Sequence, residues 1–134
     1  MKVITDVNVI LSALIRDSTT RKIILNSQFD FYFPEPSLHK IRKYKDYILE
    51  KSGLSEEEYD KIMATLFKYI RIVPTEEIEK NWDEAKKIME HIDPEDVVFI
   101  ATALSISDSV IWSDDRHFEK QGKVKVLKTK DIIS

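Results

Sequence analysis

The chain has 134 residues, 43% of them hydrophobic and 34% charged, with a formal net charge of −3 and a pI near 5.7. That length suits one domain with a real core, and the lack of cysteine excludes disulfides, zinc–thiolate sites and thiol redox chemistry. With two glycines and four prolines the chain is poor in turn residues, which argues against an all-β protein and for helices on short connections.

From the N-terminus, Met1–Thr5 is short, apolar and β-branched, and is expected to form a buried strand. Asp6 ends it, and Val7–Ile15 reads as a helix carrying Ile10, Leu11, Leu14 and Ile15. Arg21–Ser27 is a second short helix, and Phe31–Phe33 a strand stopped by Pro34. Ser37 is expected to cap a helix running to Gly53, with Leu38, Ile41, Tyr44 and Ile48 on one face and Gly53 at C′. Ser55-Glu56-Glu57-Glu58 is a capping box that opens a helix to about Tyr69.

Ile70–Val73 then forms a strand ended by Pro74. Thr75–Ile92 is mostly helical, with Trp82, Ala85, Ile88 and Met89 facing inward. Asp93-Pro94-Glu95-Asp96 combines a capping acid, proline at the first helical position and acids in the first turn. It starts a nearly all-apolar helix over Pro94–Ser107, which is expected to be central and buried. Ser109–Trp112 and Val124–Leu127 are strands, and Thr129–Ile133 is a final helical turn. Alternating strands and helices predict an α/β fold, one domain over residues 1–134, with a parallel sheet of four to five strands and helices on both faces.

No apolar run approaches the roughly 20 residues that span a bilayer. The opening MKVITDVNVI turns acidic too soon for a signal-peptide core, so a cytoplasmic location is expected. The negative net charge runs against phosphate binding. Either a cation absorbing several carboxylates or a local basic stripe would reconcile the two.

Ligands of open parallel sheets bind beyond the carboxyl ends of the strands. Asp6 falls there, after the first strand, and Asp114 and Asp115 fall there after Ser109–Trp112. Asp96, in the first turn of the buried helix, is expected at the same edge. Each acid alone has a plainer role: Asp6 as a helix cap, Asp96 as a match to a helix dipole, Asp114-Asp115 as a solvated turn. Together they point to a site. Carboxylates about 4 Å apart repel by several kcal/mol at an effective dielectric of about 20. They stay ionised together only around a cation, and an all-oxygen set suits Mg²⁺ or Mn²⁺.

Three stretches in this order, VITDVNVILSA, DVVFIATAL and IWSDDRHF, resemble the PIN-domain pattern, as do PEP, KYKDYI and KSGLSEEEYDKI between them. The chain is similar to archaeal and bacterial toxins of the VapC type, ribonucleases paired with an antitoxin. The resemblance spans essentially the whole chain and implies a PIN-like three-layer fold. It further implies a metal-dependent endoribonuclease, with RNA as substrate, an antitoxin partner, homodimers, and Mg²⁺ or Mn²⁺ on Asp6, Asp96 and Asp115. Asn8 would brace Asp6, Ser113 and Asp114 would line the site, and Asp114 or Asp115 would orient or deprotonate water.

One departure stands out. Where this family supplies a further Glu after the second strand, the chain reads Leu38-His39-Lys40-Ile41-Arg42-Lys43, so Lys40 occupies the acidic position. A lysine among carboxylates would repel the cation, which leaves a catalytically weakened binding or regulatory module as the alternative. Glu35, five residues upstream, is a possible substitute. A phosphotransferase using Asp6 as nucleophile is disfavoured, because such enzymes show Asp-x-Asp where this chain has Asp6-Val7-Asn8.

Lys40, Arg42, Lys43 and Lys45, interleaved with Tyr44 and Tyr47, form the compact basic cluster and are candidate RNA contacts. A solvated helix face is the plainer reading. His117 is a candidate general base or ligand, with a hydrogen-bonded loop role as the alternative. His39 and His91 read as surface residues, and Trp82 and Trp112 as core. The helix pair 37–53 and 55–69 would offer an apolar groove to a partner helix, unless its apolar face is simply core.

Overall fold

The computed structural model describes residues 1–15 and 18–133. Its centre is β1 (Lys2–Thr5), flanked by parallel neighbours on both edges, so Val3 and Ile4 are fully buried. A strand covered on both faces needs a continuous apolar run rather than alternation. On one side β1 pairs with β2 (Asp30–Pro34), which pairs with β3 (Ile70–Val73). On the other it pairs with β4 (Ser109–Trp112), which pairs with β5 (Val126–Leu127). The order is β3-β2-β1-β4-β5, all parallel. The five-stranded parallel sheet with helices on its faces is the expected α/β three-layer architecture.

The chain leaves β1 toward β2 and later returns on the opposite side as β4. The boundary between β1 and β4 is thus the switch point, where strand carboxyl ends diverge and leave a crevice. Register does the rest. Thr5 pairs with Trp112, so Asp6 and Ser113 emerge side by side, and the Asp6 N–H still donates to the Trp112 carbonyl at 3.3 Å.

The helices are α1 (Val7–Ala13), α2 (Thr19–Asn26), α3 (Leu38–Lys43), α4 (Lys45–Ser52), α5 (Glu56–Tyr69), α6 (Thr75–Glu79), α7 (Trp82–Met89), α8 (Val97–Ser105) and α9 (Thr129–Ile133). Helices α6 and α7 pack on α8, which contacts β1, β2 and β4; α1, α2 and α5 form a second connected group. Val97–Ala103 of α8 are all buried, as its apolar sequence requires. The core closes with edge-to-face pairs of Phe99 with Phe33 and Phe118. The capping box of α5 forms as read, with Ser55 and Glu58 exchanging hydrogen bonds of 3.1 and 3.0 Å.

Several elements differ from the sequence reading. The helix expected over 37–53 is two helices, because the backbone opens at Tyr44 (φ −95°, ψ 5°) between α3 and α4. Ser37 does not cap it: its side chain makes no capping bond and is buried at the end of a 3₁₀ turn, Glu35–Ser37. Gly53 does end α4, with φ 71°, where a side chain would be strained. The helix expected over 75–92 breaks between α6 and α7, and Trp82 at the start of α7 is 37% exposed rather than core. Val7–Ile15 stops at Ala13. The second helix starts earlier, at Thr19, because Ser18 caps it by accepting from the Arg21 N–H. Pro94–Asp96 is a 3₁₀ turn ahead of α8, and the last strand shrinks to Val126–Leu127. Among the described residues no helix is long and apolar enough to cross a membrane.

Candidate active site

Asp6 leaves β1 at the switch point and caps α1, its Oδ1 accepting from the Val9 N–H at 2.8 Å. The Ser113 hydroxyl, from the end of β4, donates to Asp6 Oδ2 and accepts from the Asp115 N–H at 3.0 Å. Ser113 is fully buried and Asp6 is 5% exposed. Burial pushes the Asp6 carboxyl up to about 6; the bonds from Ser113 and Val9 oppose the rise, while Asp115 and Asp114 add to it. With both oxygens engaged and the side chain buried, Asp6 is badly placed to be a covalent nucleophile.

Asp93, Asp96 and His117 converge from two other segments. Asp93 caps the 3₁₀ turn before α8, accepting from the Glu95 N–H at 3.0 Å, and its carbonyl accepts from the Asp96 N–H. Three residues on, Asp96 projects from the same turn. His117 arrives on the 3₁₀ turn Arg116–Lys120, which Asp115 caps by accepting from the His117 N–H at 2.9 Å. The His117 Nδ1 atom lies 2.9 Å from Asp93 Oδ2, 3.3 Å from Asp115 Oδ1 and 3.8 Å from Asp96 Oδ2. None of these contacts is aligned with the ring nitrogen as a hydrogen bond: Asp96 Oδ2 and His117 Nδ1 are both buried without a hydrogen-bond partner among the described residues. A buried polar atom left unpaired is costly. The Asp96 carboxyl is pushed up to about 7, first by burial, then by Asp93, Asp115 and Asp6, with His117 opposing.

Asp6, Asp93, Asp96 and Asp115 line one cleft of about 160 Å³, together with Asn8, Lys40 and Glu95. The expected metal set Asp6, Asp96 and Asp115 therefore shares one cleft, and their mutual electrostatic coupling agrees with that. Ligand atoms of Asp93, Asp96 and His117 lie within 4.8 Å of one another, a spacing one cation can bridge. The residues fit a divalent ion: carboxylate oxygens dominate, and an orphaned buried oxygen and ring nitrogen aim into the same space.

Asp114 departs from expectation. Its two oxygens accept from Thr129, from the N–H at 2.9 Å and the hydroxyl at 2.6 Å, and Thr129 Oγ1 also accepts from the Trp112 indole at 3.0 Å. Asp114 thus ties the start of α9 to β4 and faces a neighbouring pocket with Asn8, Ser12, Thr20 and Asp115. Glu35 does not reach the cleft either: its carboxylate accepts from the Thr75 N–H and hydroxyl at 3.0 Å each, at the start of α6. Lys40 does reach it, 3.5 Å from Glu95 Oε2. Of the other basic residues, Lys45 pairs with Glu56 at 2.9 Å, and Arg42 and Lys43 are exposed.

Sequence reasoning missed Asp93 as a site residue, assigning it to capping alone. The signal was available in its i, i+3 spacing from Asp96 within one turn, since such residues share a face.

A PIN-domain family model matches residues 4–133. The chain belongs to the PIN-domain family. PIN domains are generally nucleases that use divalent metal ions, and Asp93, Asp96 and His117 form a candidate site for such an ion in this PIN domain. Among curated proteins no significant match is found.

Proposed function

We propose that the chain is an endoribonuclease that hydrolyses phosphodiester bonds in RNA with Mg²⁺ or Mn²⁺, and that it is the toxin of a toxin–antitoxin pair. The observation that carries the nuclease reading is the buried, unpaired Asp96 Oδ2 in a cleft shared with Asp6, Asp93 and Asp115. Asp6, Asp96 and Asp115 would hold the ion, with Asp93 and His117 beside them. A bound divalent ion supplies the positive charge that lets these carboxylates ionise together, lowers the pKa of water and offsets charge on the phosphate.

The chain's own residues set the stage for that chemistry. Ser113 and the first turn of α1 lock both oxygens of Asp6, so one edge of the cleft is rigid before substrate arrives. Asp115 is fixed by its own bonds to Ser113 and to the His117 N–H. His117 Nδ1, within 4 Å of three carboxylates, would serve as a further ligand beside them. Asn8, close to Asp6 in the first turn of α1, lines the same cleft. The toxin role rests on the motif resemblance, which also supports an antitoxin partner and a homodimer; a strictly monomeric species by light scattering at high micromolar concentration would remove the dimer.

Lys40 favours one competing reading, a PIN-fold module with weakened catalysis. Its ammonium group lines the same cleft and pairs with Glu95, so it competes with a cation for the negative field. Calorimetric titration of the purified protein with Mn²⁺, alongside cleavage of an end-labelled RNA, separates the two. Binding that is lost in Asp96→Asn, with metal-dependent internal cuts, supports the nuclease; no detectable binding refutes it in favour of the module.

A further inference from the structure

Beside the acidic cleft lies a larger pocket of about 570 Å³, lined mainly by Leu11, Ile15, Tyr44, Tyr47, Ile48 and Lys51. Asn8 and Tyr44 line both this pocket and the acidic cleft, so the two adjoin. Its size falls in the range of about 300–1,000 Å³ typical of small-molecule sites. Ile15, Tyr44 and Tyr47 are exposed at 43%, 39% and 58%, an apolar patch the core does not use. We propose that this pocket docks an unpaired nucleobase of the RNA next to the cut phosphate, stacked on Tyr44 and Tyr47; this rests on the nuclease reading of the adjoining cleft.

Charge selects this occupant over an apolar peptide. Residues 38–53 carry five cations against Asp46 and Glu50 in a chain whose net charge is −3; Lys40 and Lys45 pair with Glu95 and Glu56, while Arg42 and Lys43 are exposed and Lys51 lines the pocket. Lys43 Nζ lies 5.8 Å from the centre of the Tyr44 ring, and Lys51 Nζ lies 5.8 Å from that of Tyr47. Exposed aromatic rings carrying cations are what a base and its phosphate together require: the ring takes the base face and the ammonium the backbone. Tyr44 sits at the break between α3 and α4 and lines both cavities. Stacking needs an exposed base face, so the pocket selects single-stranded over paired RNA.

The test uses the full chain with Asp96→Asn to prevent cutting, and measures anisotropy of short fluorescent single-stranded RNAs in which one nucleotide at a time is abasic. Tyr44→Ala and Tyr47→Ala should each weaken binding of intact RNA about tenfold, while Tyr→Phe at either position preserves it. One abasic position should weaken binding to a similar extent, and at that position the Tyr→Ala substitutions should cost nothing further. A duplex of the same sequence should compete poorly. Both side chains are exposed, so folding should survive, with circular dichroism as the check. Unchanged RNA affinity in folded Tyr→Ala variants overturns the proposal, and loss of self-association or of apolar-peptide binding in those variants instead assigns the pocket to a protein. The two readings fail separately. Wild-type protein that binds RNA through the tyrosines but never cuts it refutes the nuclease and leaves the pocket. Wild-type cutting unaltered by Tyr44→Ala and Tyr47→Ala does the reverse.

Discussion

Replacing Asp96 by Asn should stabilise the metal-free protein, and the gain should depend on pH in a defined way. Asn keeps the size of the side chain and removes the charge that Asp93, Asp115 and Asp6 oppose. The folded-state pKa of Asp96 is raised from 3.8 to about 7. A group raised in this way stabilises the fold, relative to its ionised state, fully below its unfolded pKa, and that contribution is lost as pH rises through the folded value. In full, the rise is equivalent to about 4 kcal/mol. Water reaches part of Asp96, whose side chain is 15% exposed, and Asp6 shares the same repulsion, so a gain of about 1–2 kcal/mol is expected at pH 8. For a domain of this size that is a rise in Tm of about 3–8 °C. At pH 5 the gain should be clearly smaller, because the folded carboxyl is then mostly protonated while the unfolded one is not. Differential scanning calorimetry in EDTA at both values measures it. Saturating Mn²⁺ should reverse the order, since the ion stabilises only the protein that binds it. A variant that melts below wild type in EDTA at pH 8, or by the same margin at both pH values, would refute the reasoning and make Asp96 a structural cap.

Asp114→Ala should lower stability by about 1 kcal/mol, because it removes two bonds to Thr129 at the edge of the molecule. Mn²⁺ affinity measured by calorimetry should stay unchanged, and a large loss of binding would return Asp114 to the metal site. Lys40→Glu should tighten Mn²⁺ binding about tenfold, equivalent to about 1.4 kcal/mol, by adding a negative charge where an ammonium group now lines the cleft. It should raise RNA cleavage most at low Mg²⁺, and unchanged affinity would place Lys40 outside the field of the site.

The local signals of this chain were legible without coordinates. A β-branched run ended by Asp6, a Ser-Glu-Glu-Glu helix start, the capping acid before Pro94 and the buried apolar helix that follows were all readable, because each depends on neighbours within one turn, though that helix begins at Val97 after a 3₁₀ turn. The alternation of strands and helices was enough for a parallel sheet, and a parallel sheet implies that acids after separate strands share an edge. Other features were settled only by packing. Helices expected to be continuous break at Tyr44 and at Lys80–Asn81, where neither Gly nor Pro announces a stop. Asp114 and Asp115 are adjacent and chemically identical in the sequence, yet one ties α9 to β4 and the other lines the acidic cleft. Lys40 and Glu35 were alternatives on paper, and only Lys40 reaches the cleft. Nor does any local pattern bring His117 within 2.9 Å of Asp93, 24 positions earlier. Propensity and capping act along a few residues of chain, whereas the aim of a side chain at a strand end depends on which strand lies beside it and in what register. Here that decision belongs to the pairing of β1 with β4.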